Sequence, residues 1–250
     1  MISVITCCRH PKPQTIQERN IAKTVGVPYE YLPIDGTGTP NNAALWNFGI
    51  SRSQGDILVF IPEDVYFMKH SWGAVLQHKF TDQSIAGVGI AGTQYLPAGS
   101  PSLTAAGRPF IKGRVVYHLE NGDFFAVVYS QELGDFEVVA CEGAFLAIRR
   151  AYCTQTWFDQ ETFDGEHFAD VDLCMQLRKC GRLIVTTDIV VKKRSQVNYD
   201  RVWKEYSRRF GEKWSAELPA GCVPQVPDPQ HYVSSHCVNL KGKAPMETIC

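Results

Sequence analysis

Long apolar runs are missing from this sequence. No stretch approaches the ~18 residues of a membrane-spanning helix. The opening Met1-Ile2-Ser3-Val4-Ile5-Thr6 has neither the basic residues nor the extended apolar core of a secretory signal. A cytoplasmic location is the expectation. An excess of one charge is missing too: the formal net charge of the 250-residue chain is −1, so no global field draws nucleic acid or an anionic membrane to it. The nine cysteines form no paired CxxC motif, which removes the zinc-knuckle reading. They are expected to be free thiols of a reducing compartment. His231, His236 and Cys237 are spaced too loosely to read as a metal site. No glycine-rich loop follows the first strand candidate, and neither GxxxxGKS nor GxxxxGKT occurs. That weighs against dinucleotide-binding, P-loop and methyltransferase-like folds. A phosphate-bearing ligand would have to be held by side chains and metal instead.

The chain does have enough apolar residues, 44% of the total, to bury a full core without staples. It alternates strand and helix signals over its first ~90 residues, in βαβ fashion. Ile2–Thr6, Tyr29–Ile34, Asp56–Ile61 and Ile85–Ala91 read as strands. The third is a continuous apolar run of the kind a parallel sheet buries on both faces. Between them, Gln14–Val25 reads as a helix closed by Gly26, Asn41 or Asn42 caps a second, and Ser71 caps a third. Tyr95–Phe110, rich in Gly, Pro and Ser, reads as surface loop. Arg114–His118, Phe124–Tyr129, Glu137–Ala140, Phe145–Ile148 and Leu183–Val191 follow as strands. A buried helix runs from Asp170 to about Lys179, and another spans Tyr199–Phe210, with Asp200 placed to pair with Lys204. Residues 215–250, with five prolines, are expected to wrap the surface irregularly. The pattern predicts a doubly wound, mostly parallel α/β sheet flanked by helices.

In such sheets ligands sit beyond the carboxyl ends of the strands. The first strand ends at Thr6-Cys7-Cys8-Arg9, the second at Asp35 and the third at Pro62-Glu63-Asp64. Asp35 could accept from a ribose hydroxyl or a base N–H, and Asp64 could ligate a divalent cation, since hard cations prefer carboxylate oxygen. The same carboxylates also suit turns and helix caps, and both readings stand. A second acidic cluster, Asp164-Gly165-Glu166-His167-Phe168-Ala169-Asp170-Val171-Asp172, precedes a helix. There a carboxylate serves either the helix dipole or as a base in a cleft. Lys192-Lys193-Arg194 follows the last strong strand, either facing a diphosphate or solvated.

Taken in order, these blocks resemble a known family. Asn47-Phe48-Gly49 and Gly55-Asp56-Ile57-Leu58 leading to Pro62-Glu63-Asp64 resemble the start of the inverting family-2 glycosyltransferases, where a DxD metal motif ends the strand. Cys141-Glu142-Gly143-Ala144 resembles the acceptor-side segment of their streptomycin-biosynthesis-type branch, and His167-Phe168-Ala169-Asp170-Val171-Asp172-Leu173 its H-x-x-D-x-D-L block. Lys213-Trp214 matches a Lys-Trp pair near that branch's end. The resemblance covers roughly residues 2–214. It implies a GT-A-like mixed sheet over 1–214, with a nucleotide-binding half (1–95), an acceptor and catalytic half (96–214), and the tail beyond. It implies a nucleotide-diphospho-sugar donor carrying uridine, Mn²⁺ or Mg²⁺ on Asp64, and a hydroxyl acceptor of unstated identity. It further implies Asp170 as catalytic base. Thr6, Cys7, Arg9, Asp35, Glu63 and Asp64 fall on the nucleotide, Glu142, Gly143 and His167 on the acceptor side, and Lys192 and Lys193 on phosphate. Two positions depart from the family: Pro62 stands at the first acid of DxD, and a lysine, Lys192 or Lys193, stands where relatives often carry a metal-binding histidine.

Overall fold

Ile2–Cys8 (β1) is buried at all seven positions, as a central strand covered on both faces must be. The computed structural model describes residues 1–99, 101–118, 123–154, 157–194, 199–226 and 236–239. After β1 come α1 (Pro11–Thr24), β2 (Tyr29–Asp35), α2 (Asn42–Arg52), β3 (Ile57–Pro62), β4 (Tyr66–Phe67), α3 (Trp72–Lys79), β5 (Ile85–Gly89), β6 (Ala91–Thr93) and β7 (Tyr95–Leu96). Then follow β8 (Ile111–His118), β9 (Phe124–Val128), β10 (Asp135–Val138), β11 (Ala140–Cys141), β12 (Leu146–Arg149) and α4 (Ala169–Leu177). The chain continues through β13 (Arg182–Thr186), β14 (Val191–Lys193), α5 (Arg201–Lys213), β15 (Ala220–Gly221) and β16 (His236–Asn239).

The main sheet has the order β10-β13-β5-β12-β3-β1-β2. β1 runs parallel to β2 and β3, and β13 parallel to β5. β12 lies antiparallel between β3 and β5, and β10 antiparallel at the edge. The sheet is therefore mixed and flanked by helices, as the resemblance implies, and not mostly parallel as the alternation of strands and helices suggests: three of its six pairings are antiparallel, because β10 and β12 run against their neighbours. Alternate side chains of β1 face opposite sides. Ile2 and Val4 join Val59, Ile61, Trp72 and Leu76 on the side of α1 and α3. Ile5 and Cys7 join Phe60, Trp46, Leu173 and Phe210 on the side of α2, α4 and α5. Each fully buried Ile, Leu or Phe in these layers contributes about 1.5–3 kcal/mol. Helix α2 lies close to the sheet because residue 49 is glycine: a Cβ there would stand 2.3 Å from Ile5 Cγ2. A second sheet, also of seven strands, has the order β11-β6-β8-β14-β4, with β9 on β8 and β16 on β9.

The structure corrects several boundaries. The run 85–91 is divided between β5 and β6, which belong to different sheets. Gly87, Gly89 and Gly92 stand at GxGxxG spacing there, but inside strands with no helix after them, so they form no phosphate loop. They allow close packing instead: a Cβ on Gly89 would meet Cys141 Sγ at 2.6 Å, and one on Gly92 the Ala140 carbonyl at 2.4 Å. The run 183–191 likewise divides into β13 and β14, again in different sheets. Ser71 does precede α3, but in the left-handed region at φ 59° and without a side-chain cap. Asn41 is the cap of α2, accepting from Ala44 N at 2.9 Å. Asp200 caps α5, accepting from Trp203 N at 2.9 Å. The tail is not wholly irregular: Ala220–Gly221 pairs with β7 and His236–Asn239 with β9. His231 lies outside the described residues. Seven cysteines, at 7, 8, 141, 153, 174, 180 and 222, are free thiols.

Candidate functional site

The parallel register Cys8↔Asp35 and Cys7↔Pro62 brings the carboxyl ends of β1, β2 and β3 to one edge of the sheet. A cavity of about 760 Å³ opens beyond that edge, between the main sheet, the second sheet, and the starts of α4 and α5. Cys7, Arg9, Glu63, Asp64, Glu142, Gly143, His167, Asp170 and Lys193, all singled out in the sequence, line it. Thr6, Asp35 and Lys192 do not. Thr6 is fully buried, its hydroxyl donating to Gln17 Oε1 at 3.0 Å behind the strand. Asp35 stands exposed on the rim, where Oδ1 accepts from Thr37 N at 2.9 Å and closes a local turn. That bond comes first among the causes that hold its carboxyl below the usual range.

Glu63 is a clasp between strand ends. Oε2 accepts from Arg9 N at 2.8 Å and His10 N at 3.0 Å, and Oε1 lies 2.7 Å from His10 Nδ1. The Arg9 guanidinium donates to the Thr39 carbonyl at 3.1 Å and Asn42 Oδ1 at 2.8 Å, with Glu166 at 3.9 Å. Asp64 Oδ2 accepts from Arg194 N at 3.1 Å, which straps the end of β14 to the end of β3. Within β14, Lys192 and Lys193 face opposite ways, as neighbours in a strand must. Lys192 lies over the rings of Tyr66 and Phe124. Lys193 turns into the cavity, 3.6 Å from Glu142 Oε1.

Asp170 sits in the first turn of α4, on the cavity wall. The helix enters through Phe168, which is left-handed at φ 68° and offers no side-chain cap. Burial pushes the Asp170 carboxyl up to about 6. N–H bonds from Val171 and from Asp170 itself act against that rise, Glu142 adds to it and Lys193 opposes it. Gly143 packs directly on this carboxylate: a Cβ there would stand 2.5 Å from Oδ2. The other acid of the block, Asp172, points the opposite way and is fully buried. It accepts from Lys213 Nζ at 2.7 Å, Trp214 Nε1 at 2.8 Å and Gln176 Nε2 at 2.8 Å. The Lys213-Trp214 pair therefore ties the end of α5 to α4 and holds the helix that carries Asp170. Asn47 anchors the chain ahead of the acidic block, donating to the Phe158 carbonyl at 2.8 Å and accepting from Phe158 N at 3.1 Å.

Hard divalent ions ask for about six oxygens. Among the described residues no group of three His, Cys, Asp or Glu side chains could hold a metal. Both Glu63 oxygens are engaged within the protein, and one Asp64 oxygen meets an amide. The described residues alone do not form a metal cradle. Sequence reasoning missed the rest of the cavity wall. Trp46, Tyr117, Phe125, Tyr129, Tyr199, Trp203 and the Pro101–Thr104 turn also line it. They come from elements distant in sequence, and no local spacing marks them. Tyr199 and Trp203 meet edge to face with centroids 4.9 Å apart.

A family model described as "Glycosyltransferase like family" matches residues 3–214. No curated protein matches the sequence. Among solved structures, the chain is similar to the mannosyltransferase PcManGT from Pyrobaculum calidifontis, solved with GDP-Man and Mn²⁺: TM-score 0.55, 12% identity, 89% of this chain and 65% of that one. It is similar to GalNAc-T7, solved with UDP, GalNAc and Mn²⁺, at TM-score 0.54 and 10% identity, over 84% of this chain and 47% of that one. TarS from S. aureus gives TM-score 0.54 and 11% identity, over 89% of this chain and 40% of that one. The chain thus spans less than two thirds of the length of these three. No helix among the described residues is long and apolar enough to cross a membrane.

Proposed function

The chain belongs to the glycosyltransferase-like family, and from that premise we propose that it moves a sugar from a nucleotide-diphospho-sugar to a hydroxyl acceptor, with Asp170 as the base. The observation that carries the reading is the Asp170 carboxyl. It is pushed up to about 6 by burial and stands on the wall of a cavity that also holds Asp64, Arg9 and Lys193. A base with a pKa near working pH is matched to taking a hydroxyl proton.

In the reaction the acceptor oxygen bonds to the anomeric carbon and gives its proton to Asp170. The bond from that carbon to the diphosphate breaks, and its electron pair leaves with the diphosphate. The nucleotide lies along the ends of β1 to β3, near Cys7, Arg9 and the Glu63-Asp64 turn, with Asp35 at the rim facing ribose or base. A uridine nucleotide is the donor favoured by the sequence blocks, and their order favours the streptomycin-biosynthesis-type branch. Glu142, Gly143 and His167 lie on the acceptor side, and the Tyr199–Trp203 pair offers an aromatic face there. Lys213 and Trp214 act at a distance, through Asp172. No step is routed through a divalent ion, because the described residues do not assemble ligands for one.

The test is a panel of UDP- and GDP-sugars incubated with the protein, reading released nucleoside diphosphate and transfer to added hydroxyl acceptors. Release above the no-enzyme rate for at least one donor supports the reading. A nucleotide-binding protein without turnover is the second reading. It is favoured by Glu63, whose two oxygens are taken up by Arg9 and His10. Nucleotide-sugars that raise the melting temperature, with no release from any of them, would decide for it.

A further inference from the structure

Lysine is among the residues least often buried without a good partner. The Lys193 side chain is 7% exposed, and it faces the cavity. Among the described residues its ammonium meets Glu142 Oε1 at 3.6 Å, beyond hydrogen-bond reach, and the Tyr117 ring at 6.0 Å. Among the described residues no acceptor stands within hydrogen-bond distance of its three N–H donors, which open onto the cavity. Glu142 Oε1 is itself buried and accepts no hydrogen bond. A buried pair with this geometry recovers little of what its two ions lose on leaving water. Such an arrangement suits a guest that satisfies both ends: an anion for the ammonium, and a hydroxyl for the carboxylate.

The anion at hand is the donor's diphosphate. Its charge grows as the sugar–oxygen bond breaks and the electron pair moves onto the leaving oxygen. Something positive must meet that charge. In two proteins of this fold the structures hold Mn²⁺. Here the described residues supply no three-ligand group, while a fixed ammonium stands in the cavity wall. The strap from Arg194 N to Asp64 Oδ2 fixes the backbone next to Lys193, and its ammonium and Asp64 line the same cavity. We infer that Lys193 is the built-in counter-cation for the donor's diphosphate, in place of a divalent ion. The ammonium stays protonated and donates hydrogen bonds to the phosphate oxygens; it exchanges no proton in the reaction. Charge-assisted bonds of this kind are short and strong. The inference rests on the nucleotide-diphospho-sugar reading given above.

The experiment compares UDP with uridine, and GDP with guanosine, by calorimetric titration of the full chain in EDTA and then in Mn²⁺. In EDTA one diphosphate should bind more tightly than its nucleoside by about 10–100-fold, the scale of hydrogen bonds to a charged group. Mn²⁺ should leave that preference unchanged. Lys193→Met should bring the diphosphate down to the affinity of the nucleoside, and Lys193→Arg should keep most of the preference. Because Lys193→Met leaves the Glu142 carboxylate buried alone, the double variant Lys193→Met with Glu142→Gln repeats the measurement without that charge. Nucleoside binding shows that each variant is folded. A preference that arises only with Mn²⁺, or one that survives Lys193→Met, overturns the inference and leaves the donor reading standing. Failure of both diphosphates to bind under either condition overturns the donor reading, and the inference with it.

Discussion

Gly143 and Asp170 are packed so closely that a single added carbon cannot fit between them: a Cβ on Gly143 would stand 2.5 Å from Asp170 Oδ2. The backbone of the Glu142–Gly143 turn thus sets where the carboxylate points. Gly143→Ala is expected to push the carboxylate aside and lower kcat by about 100-fold, the cost of a ~1 Å misplacement of a reacting group. Nucleotide affinity should hold. Steady-state kinetics beside a UDP titration checks this, and an unchanged kcat would show that the base tolerates displacement.

Asp170→Asn keeps the shape of the side chain and cannot accept a proton. Turnover is expected to fall about 10²–10⁴-fold, with folding and nucleotide binding retained. Stability should move the other way. The folded state holds the Asp170 proton more tightly than the unfolded chain does, so the stability this gives is present at low pH and is lost as pH rises through about 6. The Asn variant escapes that loss. Its melting temperature should match or exceed that of the wild type above pH ~6, and the gap should close toward the ordinary carboxylate range. If Asp170 only complemented the dipole at the start of α4, Asn would leave turnover unchanged.

The pH profile carries a second expectation. Activity should rise with pH, with a midpoint near the value of about 6 to which burial pushes Asp170. Glu142 contributes to that rise and Lys193 opposes it. Glu142→Gln should therefore move the acid limb of kcat/KM to lower pH. A midpoint that stays in place in Glu142→Gln would show that another group controls the limb.

Asp35→Ala separates two roles at the rim. If the carboxylate contacts ribose or base, UDP affinity falls by about 5–30-fold, the scale of a hydrogen bond lost from a charged acceptor. If its bond to Thr37 N is its whole function, affinity is unchanged and only the local turn is loosened. Calorimetric titration of UDP distinguishes them.

The alternation of strands and helices in the first ninety residues was legible because each element carries its own period or apolar run. The acidic strand end at Glu63-Asp64 and the Glu142, His167 and Asp170 blocks were legible as motifs, and the cavity gathers them. What stayed hidden depends on pairing between distant segments. Nothing local says that residue 90 divides two strands of different sheets, or that the tail returns to pair with β7 and β9. Thr6 reads as a strand-end polar residue, yet its hydroxyl is used by Gln17 from α1. The aromatic wall of Tyr117, Phe125, Tyr199 and Trp203 comes from three elements and the segment before one of them, so no spacing announces it. The Asn47-x-Gly49 pair has a physical reason visible only in three dimensions. Asn47 grips the backbone of Phe158, while Gly49 lets α2 approach Ile5.

The link through Asp172 predicts a variant that harms function without touching the cavity. Lys213 Nζ meets Asp172 at 2.7 Å and Asp159 at 2.8 Å. Lys213→Met leaves a buried carboxylate short of its cation, and an effect of about 3 kcal/mol is the scale for breaking such a pair. At this chain length that corresponds to a fall of roughly 6–12 °C in Tm. Thermal unfolding monitored by circular dichroism checks it, and a shift below ~2 °C would mean that Trp214 and Gln176 hold α4 unaided.

Adjacent residues of β14 present their ammonium groups to opposite sides: Lys192 pairs with Val116 and lies over Tyr66 and Phe124, while Lys193 pairs with Tyr117 and enters the cavity. The sign of the cavity wall is thus written in strand register. A one-residue slip exchanges the two faces. It would bring a second lysine inward and turn the first away, at a shifted height along the wall, and no side chain need change. The length of the short connection from Thr187 to Val190 therefore governs the electrostatics of a site it does not touch. A deletion there should act as a charge relocation, and a lysine scan along β14 would find the cavity's cation moved rather than lost.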